Sequence, residues 1–309
     1  MTCCGVLILD KPDGPTSHDC VNIVRRLYNT RRIGHTGTLD PFATGVLVML
    51  VGKATRLARF FNEDDKCYEA AVVWGSATDT GDRTGAIVDS TPEPMPKASD
   101  IEKAMESMTG KIEQIPPMYS AVKVNGKPLY KMARKGKVVE RKAKAVRIHE
   151  LRLMGCGESE FKIFVRCSKG AYIRTLAEDL AKKLGGFAHL KDLRRTASGS
   201  FRVDSAHKLG DIKNAGEDLN HFLIPMSQAL ENYPVLSAGE ALAREIEHGK
   251  QPAVEELSGE EPKPGSIVRI VEKNGGELLA MGSVGERDGK ITLLMVLAAP
   301  DENLLAGGK

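Results

Sequence analysis

The sequence predicts an α+β protein with strands and helices mixed along the chain. Three observations carry this. Short apolar runs of strand character recur at 5–10, 46–51, 66–74 and 161–168. Between and just after them lie amphipathic helical stretches at 16–28, 99–108 and 172–184. After residue 236 the composition turns acidic and Gly-rich, with strand-like runs at 266–271, 278–284 and 291–296 separated by turn signals, which suggests a small β-barrel.

Residues 5–10 read as a buried strand ended by Lys11-Pro12. Thr16-Ser17-His18-Asp19 resembles a capping box that opens a helix, with Cys20, Val21, Val24, Leu27 and Tyr28 on one face. Arg25 and Arg26 leave that face and join Arg31 and Arg32. A polar loop over 31–45 leads into the unbroken apolar strand 46–51 and a short helix over 54–61. Residues 66–74 form a strand that carries Tyr68. Thr78-Asp79-Thr80-Gly81-Asp82 reads as a hairpin turn, because it lacks the ligand count and downstream Glu of a calcium loop. Residues 91–96 are a Pro-rich spacer. Ser99 and Glu102 form a capping box for the next helix, which Gly110 ends. Asn125-Gly126 marks a hairpin inside a basic segment. Gly170 turns the strand 161–168 into the helix 172–184, which Gly185 caps and which carries an apolar stripe through Ile173, Leu176, Leu180 and Leu184. Tyr172 and Arg174 fall in its first turn, facing a cleft. Leu193-Arg194-Arg195-Thr196 opens a further short basic strand.

The loop 31–45 is where chemistry concentrates. Gly34, Gly37 and Gly45 allow tight turns or close approach to a ligand. Pro41 holds Asp40 away from helical dihedrals and so fixes where its carboxylate starts. An Asp before Pro also serves as a plain turn former. A carboxylate on a Gly-rich loop beside His35 and two arginines has the makings of a reaction centre.

A chain of 309 residues allows two domains, or one large domain with an appendage. Its apolar share of 41% and charged share of 28% are ordinary for a globular protein with a normal core. The longest apolar runs fall well short of a membrane span. The N-terminus lacks a basic n-region, and Asp10 and Lys11 cut its apolar run, so no signal peptide is expected. Six cysteines show neither C-x-x-C pairs nor zinc spacing, which fits packing roles in a reducing cytoplasm. No repeat, Walker loop, H-E-x-x-H helix or dinucleotide fingerprint is present.

The net charge of +3 hides a division: residues 232–309 hold 8 Lys and Arg against 13 Asp and Glu. Basic charge gathers over 123–152, where eleven Lys and Arg face only Glu140 and Glu150. Such a block attracts phosphate backbones and makes binding salt-dependent. Tyr119 and Tyr130 stand nearby and could stack on bases, although packing is the commoner fate of a tyrosine.

Seven runs together resemble the bacterial TruB family of tRNA pseudouridine synthases, and more distantly the dyskerin-type enzymes. They are Leu9-Asp10-Lys11-Pro12, Gly34-His35-Thr36-Gly37-Thr38-Leu39-Asp40-Pro41, Ala43-Thr44-Gly45, Lys66-Cys67-Tyr68, Thr78-Asp79-Thr80-Gly81-Asp82, Pro116-Pro117-Met118-Tyr119-Ser120-Ala121 and Gly170-Ala171-Tyr172-Ile173-Arg174-Thr175. They keep the family's order and approximate spacing from about residue 5 to 205. The resemblance implies a mixed, largely antiparallel sheet flanked by helices over 1–230. It implies a reduced PUA-like barrel over 231–309 and an RNA-gripping insertion over about 116–152. By the same resemblance Asp40 matches the catalytic aspartate, Tyr68 the tyrosine that stacks on the target base, and Arg174 the arginine paired with the carboxylate. His35, Tyr172 and Leu193 match positions that contact the substrate nucleotide, and Lys11 and Pro12 a motif that supports the active-site loop. The implied activity is isomerisation of uridine 55 in the T loop of tRNA, with no cofactor or metal, by a monomer with no obligate protein partner. A guide-RNA-dependent synthase and a tRNA-folding chaperone that needs no chemistry stand as alternatives.

Overall fold

The computed structural model describes residues 3–297, apart from 63, 121, 125, 134, 138, 217, 218, 275, 287 and 288. Its larger sheet is built from β1 (Gly5–Lys11), β2 (Ile33–His35), β3 (Thr44–Val51), β4 (Lys66–Trp74), β5 (Gly110–Gln114), β6 (Lys144–Cys156), β7 (Glu160–Cys167) and β8 (Ala188–Ser198). The order runs His207–Lys208, β1, β3, β8, β4, β7, β6, β5, with β2 beside β3. All pairs are antiparallel except His207–Lys208 with β1 and the short β3–β8 contact, where Arg194 lies opposite Thr44 and Arg195 opposite Gly45. The sheet is thus mixed and largely antiparallel, as expected.

Three helices cover one face: α1 (Ser17–Leu27), α2 (Ala98–Glu106) and α3 (Ile173–Lys183). Their apolar stripes, with Val21 and Val24, Ile101 and Met105, and Leu176 and Leu180, pack against Leu47, Met49, Ile163 and Val165 of the sheet. The opposite side chains of β3, Val46, Val48 and Leu50, enter a second core with Phe60, Phe61, Leu278, Met281 and Leu297. Burial on both faces explains why β3 is a continuous apolar run instead of an alternating one.

The capping box of α1 forms: Thr16 Oγ1 accepts from Asp19 N at 3.0 Å, and the Asp19 carboxylate accepts from Thr16 N at 2.9 Å. The box expected at Ser99 and Glu102 does not. The Lys97 carbonyl already accepts from Asp100 and Ile101 N–H, so the helix closes earlier and Ser99 lies inside its first turn. Gly110, at φ 100°, opens β5 and is not the helix cap. The stretch 54–61 divides into a 3₁₀ turn, Gly52–Leu57, and one α turn, Ala58–Phe61. The basic segment is not all loop. Its second half is the long strand β6, and Lys123–Val124 pairs with Lys127–Pro128 in the expected hairpin, although Asn125 lies outside the described residues.

The C-terminal part is a five-stranded sheet in the order Ser258–Gly259, β9 (Val235–Ala238), β10 (Ile267–Glu272), β11 (Leu278–Val284), β12 (Ile291–Val296), with α4 (Glu240–Glu247) against it. Backbone bonds from Val254 N to Gly289 O and from Ile291 N to Pro252 O draw its two margins together, so the sheet curls. Two of the turns expected here fall on Gly275 and Asp288, outside the described residues. No helix among the described residues is long and apolar enough to cross a membrane.

Candidate active site

The Asp40 loop bridges β2 and β3 and is held from several sides. The Asp40 carbonyl accepts from Ala43 N at 3.1 Å, closing a tight turn over Pro41. Ser17 Oγ, at the start of α1, accepts from Leu39 N at 2.8 Å and donates to Leu39 O at 3.0 Å. The fully buried Lys11 donates through Nζ to the carbonyls of Pro12, Pro41 and Ala43 at 2.8, 2.9 and 2.7 Å. Burial pushes its pKa below the ordinary lysine value. Arg195, also fully buried, donates to Val46 O at 2.6 Å and to Gly37 O at 3.0 Å. Gly45 sits at φ 100°, and a Cβ there would stand 2.2 Å from Arg195 O, so only glycine lets the two strands meet at this point. Gly34, by contrast, is extended strand backbone and has no such requirement.

The carboxylate faces Arg174 side-on, with Nε 3.0 Å from Oδ2 and Nη2 3.2 Å from Oδ1. The Arg174 side chain is 4% exposed and that of Asp40 is 32% exposed, so the arginine is sealed while the carboxylate remains reachable. Arg174 also donates to Thr80 O at 2.7 Å and Tyr119 O at 2.8 Å. Burial raises the Asp40 pKa above the usual carboxylate value. Arg174 opposes that shift, and the Asp82 charge adds to it. Arg174 alone would lower the value, so desolvation outweighs the pairing that the sequence pointed to.

Asp40 stands where two cavities meet. One, of about 340 Å³, is lined by Tyr68, Tyr172, Leu193, Lys66 and Arg195. The other, of about 700 Å³, is lined by His35, His18, Tyr130 and the loop from Asp79 to Ala86. Tyr68, Tyr172, Leu193 and Arg174 are therefore brought together with Asp40 in one chamber, while His35 opens into the other. Burial lowers the His35 pKa, and its Nδ1 is buried without a hydrogen-bond partner. Burial also raises the phenol pKa of both Tyr68 and Tyr172. Pro12 acts through its backbone, as an acceptor for Lys11.

Three residues of the site were not singled out as site residues in the sequence. Asp82 is buried. Its Oδ1 accepts from Thr80 Oγ1 and Thr84 N, each at 2.9 Å, and its Oδ2 lies 3.9 Å from Arg174 Nη1. Its signals were the density of Thr and Asp over 78–84, a pattern that also marks ordinary turns, and its place in one of the seven matched runs. Arg195 was visible only as part of a basic strand. Lys66 donates from the cavity wall to the carbonyls of Asp64 and Asn62. Among the described residues no group of three or more His, Cys, Asp or Glu is placed to hold a metal ion.

The mixed sheet thus presents a side-on carboxylate–arginine pair beside the buried Tyr68. The fold matches a solved structure described as "Crystal Structure of a Cbf5-Nop10-Gar1 Complex", with TM-score 0.74 and 26% identity over 96% of this chain and 85% of that one. The chain belongs to the TruB family: the family model "TruB family pseudouridylate synthase (N terminal domain)" matches residues 25–173, and "tRNA pseudouridylate synthase B C-terminal domain" matches residues 174–231. The protein named tRNA pseudouridine synthase B in Geobacillus kaustophilus is 46% identical over 82% of this chain and 94% of its own length. Its counterpart in Pseudomonas putida strain F1 is 40% identical over 93% of both chains.

Proposed function

We propose that this chain converts uridine 55 in the T loop of tRNA to pseudouridine, with Asp40 as the nucleophile. The observation that supports this most directly is the Asp40 carboxylate, held in plane by a sealed Arg174 yet open to a cavity beside Tyr68. A uridine must leave its stack before an enzyme can reach C5. Tyr68 then offers a ring for the extruded base, a contact worth about 1–3 kcal/mol. Tyr172 and Leu193 shape the same chamber, and His35 serves the neighbouring one. In the isomerisation the C1′–N1 bond breaks and a C1′–C5 bond forms. The C5 proton leaves and N1 regains a proton, so no redox partner is required. A carboxylate can serve as a covalent nucleophile in such a step.

The basic insertion over 116–152 grips the T arm, and the chain divides into a catalytic part, 1–230, and a PUA-like part, 231–309. The protein acts alone, as a monomer, in the cytoplasm where its substrate resides. The stand-alone reading is favoured over a guide-dependent one because relatives named tRNA pseudouridine synthase B reach 46% identity. The Cbf5 chain, from a structure that also names Nop10 and Gar1, stands at 26%. The test is to map pseudouridine in an unmodified tRNA transcript treated with purified protein. Conversion at position 55 by the wild type, abolished in Asp40→Asn, is expected; an unchanged transcript with wild-type protein sinks the proposal. A chaperone-only role predicts that Asp40→Asn retains every effect on tRNA.

A further inference from the structure

One side chain joins the root of the insertion to the start of the helix that carries Arg174. Gln114 ends β5, directly opposite Lys144, the first residue of β6, so the segment 115–143 leaves and rejoins the sheet at one rung. Its neighbour Ile115 is exposed, yet Gln114 is only 1% exposed. Its carboxamide turns inward to the backbone of Tyr172, accepting from Tyr172 N at 2.9 Å and donating to Tyr172 O at 3.2 Å. A backbone N–H can only donate and a carbonyl can only accept, so the orientation of the amide is fixed. Tyr172 is the N-cap of α3 and lacks a side-chain cap; the Gln114 carboxamide takes up the N–H that the start of the helix leaves over.

Two residues further on is Arg174, which donates to Tyr119 O within the insertion at 2.8 Å. Arg141 Nη1 in turn donates to Pro116 O at 3.2 Å, pinning the outgoing arm of the insertion to the incoming one. The insertion therefore meets the Asp40–Arg174 pair by two routes, one through the Tyr119 carbonyl and one through Gln114.

We infer that Gln114 is a positioning residue for the isomerisation: it sets the start of α3, and with it the plane of Arg174 against Asp40, from the base of the RNA-gripping insertion. This rests on the proposed function. A small misplacement of a reacting group lowers rate far more than affinity, so Gln114→Met should slow single-turnover conversion of saturating tRNA roughly 10–100-fold. The Kd for tRNA should stay within about twofold. Gln114→Glu, which keeps the acceptor for Tyr172 N–H, should fall between Met and wild type.

In an Arg174→Lys background the Gln114→Met change should add little, because the plane it sets is already lost. A residue that serves only folding lowers the melting temperature and the active fraction, but leaves the single-turnover rate of folded protein untouched. Wild-type rates in Gln114→Met, additive effects in the Arg174→Lys background, or equal losses in rate and affinity overturn the inference. If Gln114→Met does not fold, a wild-type rate in Gln114→Glu overturns it. A wild-type protein that leaves tRNA unmodified instead sinks the functional reading itself.

Discussion

Arg174 reaches Asp40 with two different nitrogens, Nε to one carboxylate oxygen at 3.0 Å and Nη2 to the other at 3.2 Å. The guanidinium plane thereby dictates the carboxylate plane. Lysine would keep the charge but not the fork. Arg174→Lys should therefore lower the single-turnover rate by about 10²–10³, the usual loss when one preorganised donor to a reacting group is removed. Binding of tRNA should weaken much less. Rapid-quench assays beside filter binding check this, and matched losses in both remove the assigned role.

Lys11 gathers three carbonyls, two of them, Pro41 and Ala43, just after Asp40. Lys11→Met leaves those acceptors buried without a partner, which costs about 1–3 kcal/mol for each such group not rescued by water. A fall in melting temperature of several degrees, together with slower turnover, is expected from thermal unfolding and rate measurements. An unchanged melting temperature would show that the loop does not depend on this ammonium group.

The half-buried imidazole of His35 has a pKa below its ordinary value of 6.5. The unfolded chain therefore binds a proton in a range where the folded one does not. Stability tied to this group is complete above 6.5 and falls as pH drops from there through the lowered folded value. Denaturant titrations from pH 7 downward should show that decline in wild type and a flatter curve in His35→Gln. NMR titration of the His35 ring should give a midpoint below 6.5.

Lys131 and Lys135 are exposed on the insertion. Replacing either with Gln should weaken tRNA binding and lower the slope of log K against log salt by about one for each phosphate no longer neutralised. The rate at saturating tRNA should not change. A salt slope equal to that of wild type would place these lysines away from the RNA.

Much of the site was legible because it is local. The Asp40 loop announces itself through Gly37, Gly45 and Pro41, and the helix cap at Thr16 through residues three apart. What escaped was set by distant partners. Asp82 looks like a turn residue until Arg174, 92 positions later, is folded against it. Arg195 reads as surface charge in a basic run, yet the approach of β8 to β3 buries it and supplies carbonyls to satisfy it. Strand β5 shows little apolar alternation, since it is an edge strand with only Gln114 fully inside. The Ser99 box failed for a local reason: the helix starts two residues early, with Lys97 as its N-cap.

Strand β3 leaves the Asp40 loop and is apolar on both sides, one set of side chains meeting the helices and the other meeting Leu278, Met281 and Leu297. The rear wall of the reaction floor is therefore finished by the last third of the chain. Proteolytic removal of everything after residue 230 should not yield a slimmer working enzyme. It would strip part of the cover from Val46, Val48 and Leu50 directly behind Asp40, and the fragment should clump.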